Sequence, residues 1–199
     1  RRLDDNFLDP KAFNKDSLIG VPGLFKCWLK KNVGILNAIG TGVADDKVVY
    51  SYVNKMITYY LGEQPILDQV ETYLCHDETH KKYVIENISK LVVKPANASG
   101  GYGIMIGPKA PKKEIEETIS KIKQNPREYI AQPLEILSTA PTITENDIEP
   151  RHLDLRPFVL TGKSNYVTSG GLTRVALRKG STIVNSSQGG GSKDTLIVG

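Results

Sequence analysis

The 199-residue chain has only two cysteines, Cys27 and Cys75, too few for a disulfide framework. Long apolar runs are missing too: no segment approaches the roughly 18–20 residues needed to span a bilayer, so no membrane partner is expected. No apolar stretch follows Arg1-Arg2-Leu3-Asp4-Asp5, and no signal peptide is visible. Neither sign of charge dominates, with 26 basic and 22 acidic residues giving +4. That mild excess suits an anionic small ligand without demanding a nucleic acid, and aromatic stacking motifs for RNA are lacking, so no nucleic-acid partner is expected. Histidine occurs only at 76, 80 and 152 and makes no case for a Ser-His-Asp or Cys-His nucleophile.

What is present is an ordinary globular composition, 39% hydrophobic and 24% charged. Eighteen glycines and eleven prolines punctuate apolar runs, which points to many turns rather than disorder. The chain does not begin with Met and stops at Leu196-Ile197-Val198-Gly199; it is expected to be an internal stretch of a longer cytoplasmic protein.

Residues 25–31 predict a short helix and Val33–Asn37 a buried strand, broken by Gly40-Thr41-Gly42. Asp45 or Asp46 can cap a helix running to Leu61, with Val49, Val53, Ile57 and Tyr60 on one face. Lys81–Lys90 reads as a helix, Leu91–Lys94 as a strand stopped by Pro95, and residues 102–106 as extended chain. The clearest helix runs from Pro111 to Gln124, where Ile115, Ile119 and Ile122 recur at helical spacing. Tyr129–Gln132 is a strand ended by Pro133. Beyond it, residues 153–160, 165–168, 172–177 and 181–185 alternate like an antiparallel sheet, with Gly162 and Gly180 at turns. Mixed α/β first and sheet later is an α+β plan.

The most informative stretch is Leu91-Val92-Val93-Lys94-Pro95-Ala96-Asn97-Ala98-Ser99-Gly100-Gly101-Tyr102-Gly103. A lysine closing a buried strand is costly to desolvate unless an anion meets it. The small-residue loop after it leaves backbone N–H groups free to approach phosphate oxygens. Read alone, the same residues also fit a lysine snorkelling to water beside a hairpin turn. Gly191-Ser192-Lys193-Asp194-Thr195 is no Walker A loop, because Ser192 separates Gly from Lys and Asp194 stands where Ser or Thr is required.

The stretch Glu128–Leu134, extended and ending in Gln132 and Pro133, can present backbone N–H and C=O groups to an adenine edge between apolar neighbours, or simply end a strand. In His152-Leu153-Asp154-Leu155-Arg156, alternation puts His152, Asp154 and Arg156 on one face. Arg156 and Arg174 on adjacent strands can clamp a phosphoryl group, and Asp154 or Asn185 can offer oxygen to Mg²⁺; a solvated face with salt bridges is the alternative. Cys75-His76-Asp77-Glu78-Thr79-His80 collects metal-capable side chains, but no second cluster with zinc spacing accompanies it. A polar helix start is the expected reading there.

Jointly, several stretches resemble the circularly permuted ATP-grasp (type 2) proteins: Arg1–Pro10, Gly42–Lys47, Val93-Lys94-Pro95 with Ser99–Gly103, Asp154–Phe158, Gly170–Ala176 and Asn185–Asp194. More distantly the chain is similar to glutathionylspermidine synthetases and eukaryotic-type glutathione synthetases. The resemblance implies two small α/β lobes with antiparallel sheets flanking a nucleotide cleft. Its expected division is 1–80 as an N-terminal α/β part, 81–138 as the small lobe with the glycine-rich loop, and 139–199 as the sheet of the larger lobe.

It also implies ATP-dependent ligation of a small-molecule or peptide carboxylate to an amine through an acyl phosphate, with ATP and Mg²⁺. By resemblance, Lys47 and Lys94 hold ATP phosphates, Ser99, Gly100 and Gly101 cover them, Gln132 and Leu134 border the adenine, and Arg156 and Arg174 stabilise the transferred phosphoryl. The family's main metal-ligand element is expected upstream of this stretch, which leaves Asp154 and Asn185 as candidate contacts. Remaining segments of the same full-length protein are therefore expected partners. The alternative is a catalytically inactive ATP-grasp-like scaffold module, against which Lys47, Lys94, Arg156 and Arg174 argue.

Overall fold

The structure, a computed structural model, describes residues 1, 3–97, 103–145, 147–185 and 189–195. Two compact units result, the first made of Arg1–Asn97 and Met105–Gln132, the second chiefly of the chain from Pro133 onward.

The first unit begins with α1 (Asp5–Leu8) and α2 (Leu24–Leu29), tied together by a buried carboxylate. Asp9 accepts the backbone N–H groups of Lys11 (2.8 Å), Gly23 (3.0 Å) and Phe25 (2.9 Å). Burial pushes the Asp9 carboxyl upward, but these three donors outweigh it and hold the group below the usual carboxylate range.

The strand expected at 33–37 is not formed: the segment is irregular, and Leu36 is 83% exposed. Asn37 sits at φ 56°, which ends any extended run. The carbonyls of Asn37 and Ala38 accept from the Arg1 guanidinium at 2.5 and 2.8 Å instead of from a neighbouring strand.

The helix expected up to Leu61 is divided into α3 (Lys47–Tyr50) and α4 (Val53–Leu61). Asp46 caps α3 by accepting the Val48 N–H at 2.7 Å, and Gly62 ends α4 in the left-handed region at φ 67°. After β1 (Tyr73–Leu74) comes α5 (Glu78–Asn87), whose cap Asp77 accepts the His80 N–H at 2.9 Å. The polar run from Cys75 to His80 is thus a strand end and a helix start. Among the described residues no group of three or more His, Cys, Asp or Glu is placed to hold a metal ion.

The remaining elements are β2 (Leu91–Pro95), β3 (Met105–Ile106), α6 (Lys112–Gln124) and β4 (Tyr129–Pro133). They complete a sheet of order β1-β4-β2-β3, antiparallel at β1–β4 and β2–β3. The core lies between this sheet and α5 and α6: Cys75, Val84, Ile88, Leu91, Val93, Met105, Ile122 and Ala131 cluster there. Burial raises the Cys75 thiol to about 11, so that residue is core material and no nucleophile. The isoleucine stripe of α6 behaves as its spacing predicts, with Ile122 fully buried.

The second unit is an antiparallel meander of β5 (Thr139–Ile143), β6 (Ile148–Thr161), β7 (Asn165–Ala176) and β8 (Gly190–Lys193). The two strands expected at 165–168 and 172–177 are one, running through Gly170-Gly171, while 181–185 is not a strand. Gly171 is required there, since a Cβ would lie 2.7 Å from the Arg156 carbonyl oxygen. β5 was not expected from sequence; it is an edge strand with Pro141 in it, where a missing N–H costs least. The observed fold is α+β. Among the described residues, no helix is long and apolar enough to cross a membrane.

Candidate functional site

In the first unit three of the expected site residues fall together. Lys47 opens α3, and both its backbone N–H (3.0 Å) and its Nζ (3.4 Å) donate to the Ala96 carbonyl just beyond β2. Lys94 lies on β2, and its Nζ donates to Gln132 Oε1 on β4 at 2.6 Å. Gln132, 8% exposed, in turn donates from Nε2 to Thr72 Oγ1 at 2.9 Å.

Burial lowers the Lys94 pKa, and the nearby Lys47 charge lowers it further. Burial lowers Lys47 as well, against the opposing charge of Asp46. The cause they share is partial withdrawal of each ammonium from water. Lys94 is held by a neutral amide, so its charge is positioned without being cancelled. A cleft of about 460 Å³ opens next to Ala96, lined among others by Asp46, Asn97, Asn125 and Arg127; Lys47, Lys94 and Gln132 do not line it.

The second unit holds the arginine group. β6 and β7 pair Asp154 with Arg174. The Arg174 Nε donates to Asp154 Oδ1 at 2.8 Å, and its second nitrogen, Nη2, donates to Asp154 Oδ2, making a two-point clamp. Nη1 of Arg174 also reaches Asn185 Oδ1 at 3.5 Å. The Asp154 hydrogen bonds raise the Arg174 pKa, with burial opposing them.

Arg156 pairs with Leu172, so it shares the sheet face of Asp154 and Arg174 and lies diagonal to Arg174. It is exposed to solvent. Leu134 belongs to this second unit and is exposed. Ser99, Gly100 and Gly101 lie outside the described residues.

Thr72 escaped the sequence reading. Its partner Gln132 is sixty residues away, and a lone threonine before a two-residue strand carries no local signal. The Asp154–Arg174 pairing was equally invisible. Continuing the register of Thr161↔Asn165 would set Leu172 opposite Asp154, but an irregularity between Pro157 and Val159 shifts β7 by two residues. A two-residue shift keeps the face and changes the partner, and Pro157, which has no N–H to give, sits at the irregularity.

The first unit thus carries two half-buried lysines beside a strand end, and the second an arginine clamped by a carboxylate. A family profile for circularly permuted ATP-grasp type 2 matches residues 1–176, and the chain belongs to that family.

Over all 199 residues it is 55% identical to an uncharacterized protein of Synechocystis sp. and covers 41% of that protein. It is 51% identical to an uncharacterized protein of Mycobacterium tuberculosis strain H37Rv, covering 36% of it. A Frankia casuarinae protein named "Putative glutamate--cysteine ligase 2-2" is 48% identical over 197 residues, 99% of this chain but 23% of that protein. The chain thus spans less than half the length of these relatives.

Family membership implies ATP use, usually with Mg²⁺. Asp154 and Asn185 are the candidate contacts for such an ion in this chain. Their oxygens are the right donor chemistry, and Mg²⁺ characteristically takes one or two protein ligands and completes its shell with phosphate oxygens and water. All three of these oxygens, the two of Asp154 and the one of Asn185, already accept from Arg174.

Proposed function

We propose that this chain is the ATP-binding core of an ATP-dependent carboxylate–amine ligase whose full-length form is longer. The observation that carries the proposal is the Lys47–Lys94 pair, which concentrates positive charge at the Ala96 end of β2, with Lys94 anchored to a neutral partner. An anion supplied from outside relieves both the burial and the mutual repulsion of two such lysines. We assign Lys47 and Lys94 to the ATP phosphates, Ser99, Gly100 and Gly101 to a covering loop, and Gln132 and Leu134 to the adenine border. The segments 1–80, 81–138 and 139–199 remain our proposed division of labour.

The reaction we assign runs in two steps. A carboxylate oxygen of a small molecule or peptide attacks the terminal phosphorus of ATP, the bond to the bridging oxygen breaks, and ADP leaves. An amine then attacks the acyl carbon, forms the C–N bond, expels phosphate and gives up its proton. Arg156 and Arg174 stabilise charge on the transferred phosphoryl, which is the largest contribution a protein makes to such chemistry. Mg²⁺, when bound, supplies charge neutralisation at the phosphates, and Asp154 and Asn185 would contribute oxygen contacts to it. The Frankia casuarinae relative carries the name of a glutamate--cysteine ligase, a reaction that joins a carboxylate to an amine, and the matched stretch is 23% of that protein.

Calorimetry on the full-length protein tests this reading. It should bind Mg-ATP, and Lys94→Ala should weaken binding by more than about tenfold (~1.4 kcal/mol). Absence of Mg-ATP binding by the wild type would sink the ligase reading. An unchanged affinity in the variant would remove Lys94 from the phosphate site.

A further inference from the structure

We infer that Thr72 is a positioning residue that fixes which way the Gln132 amide points, and through it holds the Lys94 ammonium. The argument rests on where each proton must be. Thr72 Oγ1 donates to the Val70 carbonyl at 2.9 Å. A carbonyl can only accept, so the single hydroxyl proton is committed there. Thr72 Oγ1 is left as an acceptor and takes an N–H from Gln132 Nε2 at 2.9 Å.

With its nitrogen pinned, the amide must turn Oε1 the other way, towards Lys94 Nζ at 2.6 Å. An ammonium can only donate. The flipped amide would set NH₂ against NH₃⁺ and oxygen against an oxygen whose proton is already used. An amide orientation that is ambiguous in isolation is decided here by Thr72.

Thr72 does not act from a free loop. The Val70 N–H donates to the Tyr50 phenol oxygen at 3.1 Å. Gln69 grips the join between α3 and α4, donating from Nε2 to the Tyr50 carbonyl at 2.6 Å and accepting the Asn54 N–H at 3.2 Å. Residues 69–72 therefore form a strap from the helix that starts with Lys47 to the strand pair that carries Lys94 and Gln132. One hydroxyl sits where the strap meets the amide.

The nucleotide part of this inference rests on the ligase reading above; the positioning of Lys94 does not. In full-length protein, Thr72→Val is expected to weaken Mg-ATP about tenfold, the worth of one charge-assisted hydrogen bond (~1.4 kcal/mol), while Thr72→Ser stays within about twofold. A packing role alone is separated by repeating Thr72→Val in a Gln132→Glu background. A carboxylate has two like oxygens and nothing to flip, so the valine should there cost less than about twofold.

Without nucleotide, the rate at which a lysine-acylating reagent labels Lys94, read by peptide mass spectrometry, should rise several-fold in Thr72→Val and be restored by Thr72→Ser. Equal losses in both Gln132 backgrounds, or unchanged labelling with unchanged affinity, would overturn the inference. Labelling that responds as expected in a protein that binds no Mg-ATP would leave Thr72 its positioning role and remove the nucleotide reading instead.

Discussion

Lys94 in the first unit and Arg174 in the second are both cations held by a side chain on a neighbouring strand, and they are held by opposite means. Lys94 donates to a neutral amide in a partly buried place. Arg174 donates through two nitrogens to a carboxylate. The lysine keeps its whole charge and loses hydration; the arginine is fixed in geometry, and its charge is largely balanced. Pre-paired arginine is a rigid donor fork, suited to charge that develops late. Partly desolvated lysine is a standing attraction for charge that is already there. Arg156, exposed on the same face as Arg174, supplies net charge to the second group.

The units differ in construction as well. The first has a closed core between sheet and helices. The β6–β7 ribbon leaves Phe158, Val159, Leu160, Tyr166 and Val167 each more than half exposed. All the described helices lie in the first unit, so the helical circular dichroism of the described residues reports on that unit.

The largest effect should come from its core. Ile122→Ala, at a fully buried position, should cost about 2–5 kcal/mol, read as an earlier urea midpoint of the helical signal. A shift no larger than that of a surface substitution would mean that the core is not what holds the first unit together.

A smaller change is expected in the second unit from Asp154→Ala. The pair is partly exposed, with side-chain accessibilities of 15% for Arg174 and 27% for Asp154. Solvent screening therefore limits the loss to roughly 1 kcal/mol, even for a two-point clamp. Thermal unfolding at low and high salt checks it, and the deficit should shrink as salt rises. A deficit insensitive to salt would indicate that Asp154 matters to the ribbon through packing.

Much of the first unit was legible because its signals are local. Ile115, Ile119 and Ile122 announce α6 by spacing alone, and Asp46 announces the start of α3 by capping chemistry. Val33–Asn37 misled because apolar residues in a row look like a strand until a positive φ at Asn37 and carbonyl contacts from Arg1 intervene. On the sheet side, alternation put His152, Asp154 and Arg156 on one face of a strand, and all three lie at alternate positions of β6. It could not say that Asp154 meets Arg174, because that depends on the irregularity near Pro157. Lys94 could be suspected from burial of its strand, but its partner Gln132, and Thr72 behind Gln132, arrive through tertiary folding, across sequence separations of 38 and 60 residues.

The smallest effect expected also separates the two cations most cleanly, because it needs only a change of pH. For a base, a folded pKa below its ordinary value means that the proton is lost earlier as pH rises. Burial, and then Lys47, lower Lys94, while Asp154 raises Arg174, a group that stays protonated throughout the working range in any case. Mg-ATP affinity should therefore begin to decline below the pH at which an ordinary lysine titrates, and by less than Lys94→Ala costs. Bound phosphate favours the charged ammonium and raises its pKa, so binding there should take up protons. Calorimetry in buffers of different ionisation enthalpy measures that uptake directly. Lys94→Arg, which cannot lose its proton, should diminish both the decline and the uptake. The same decline and uptake in Lys94→Arg would assign the titration to another group, with Lys47, also lowered by burial, the next to test.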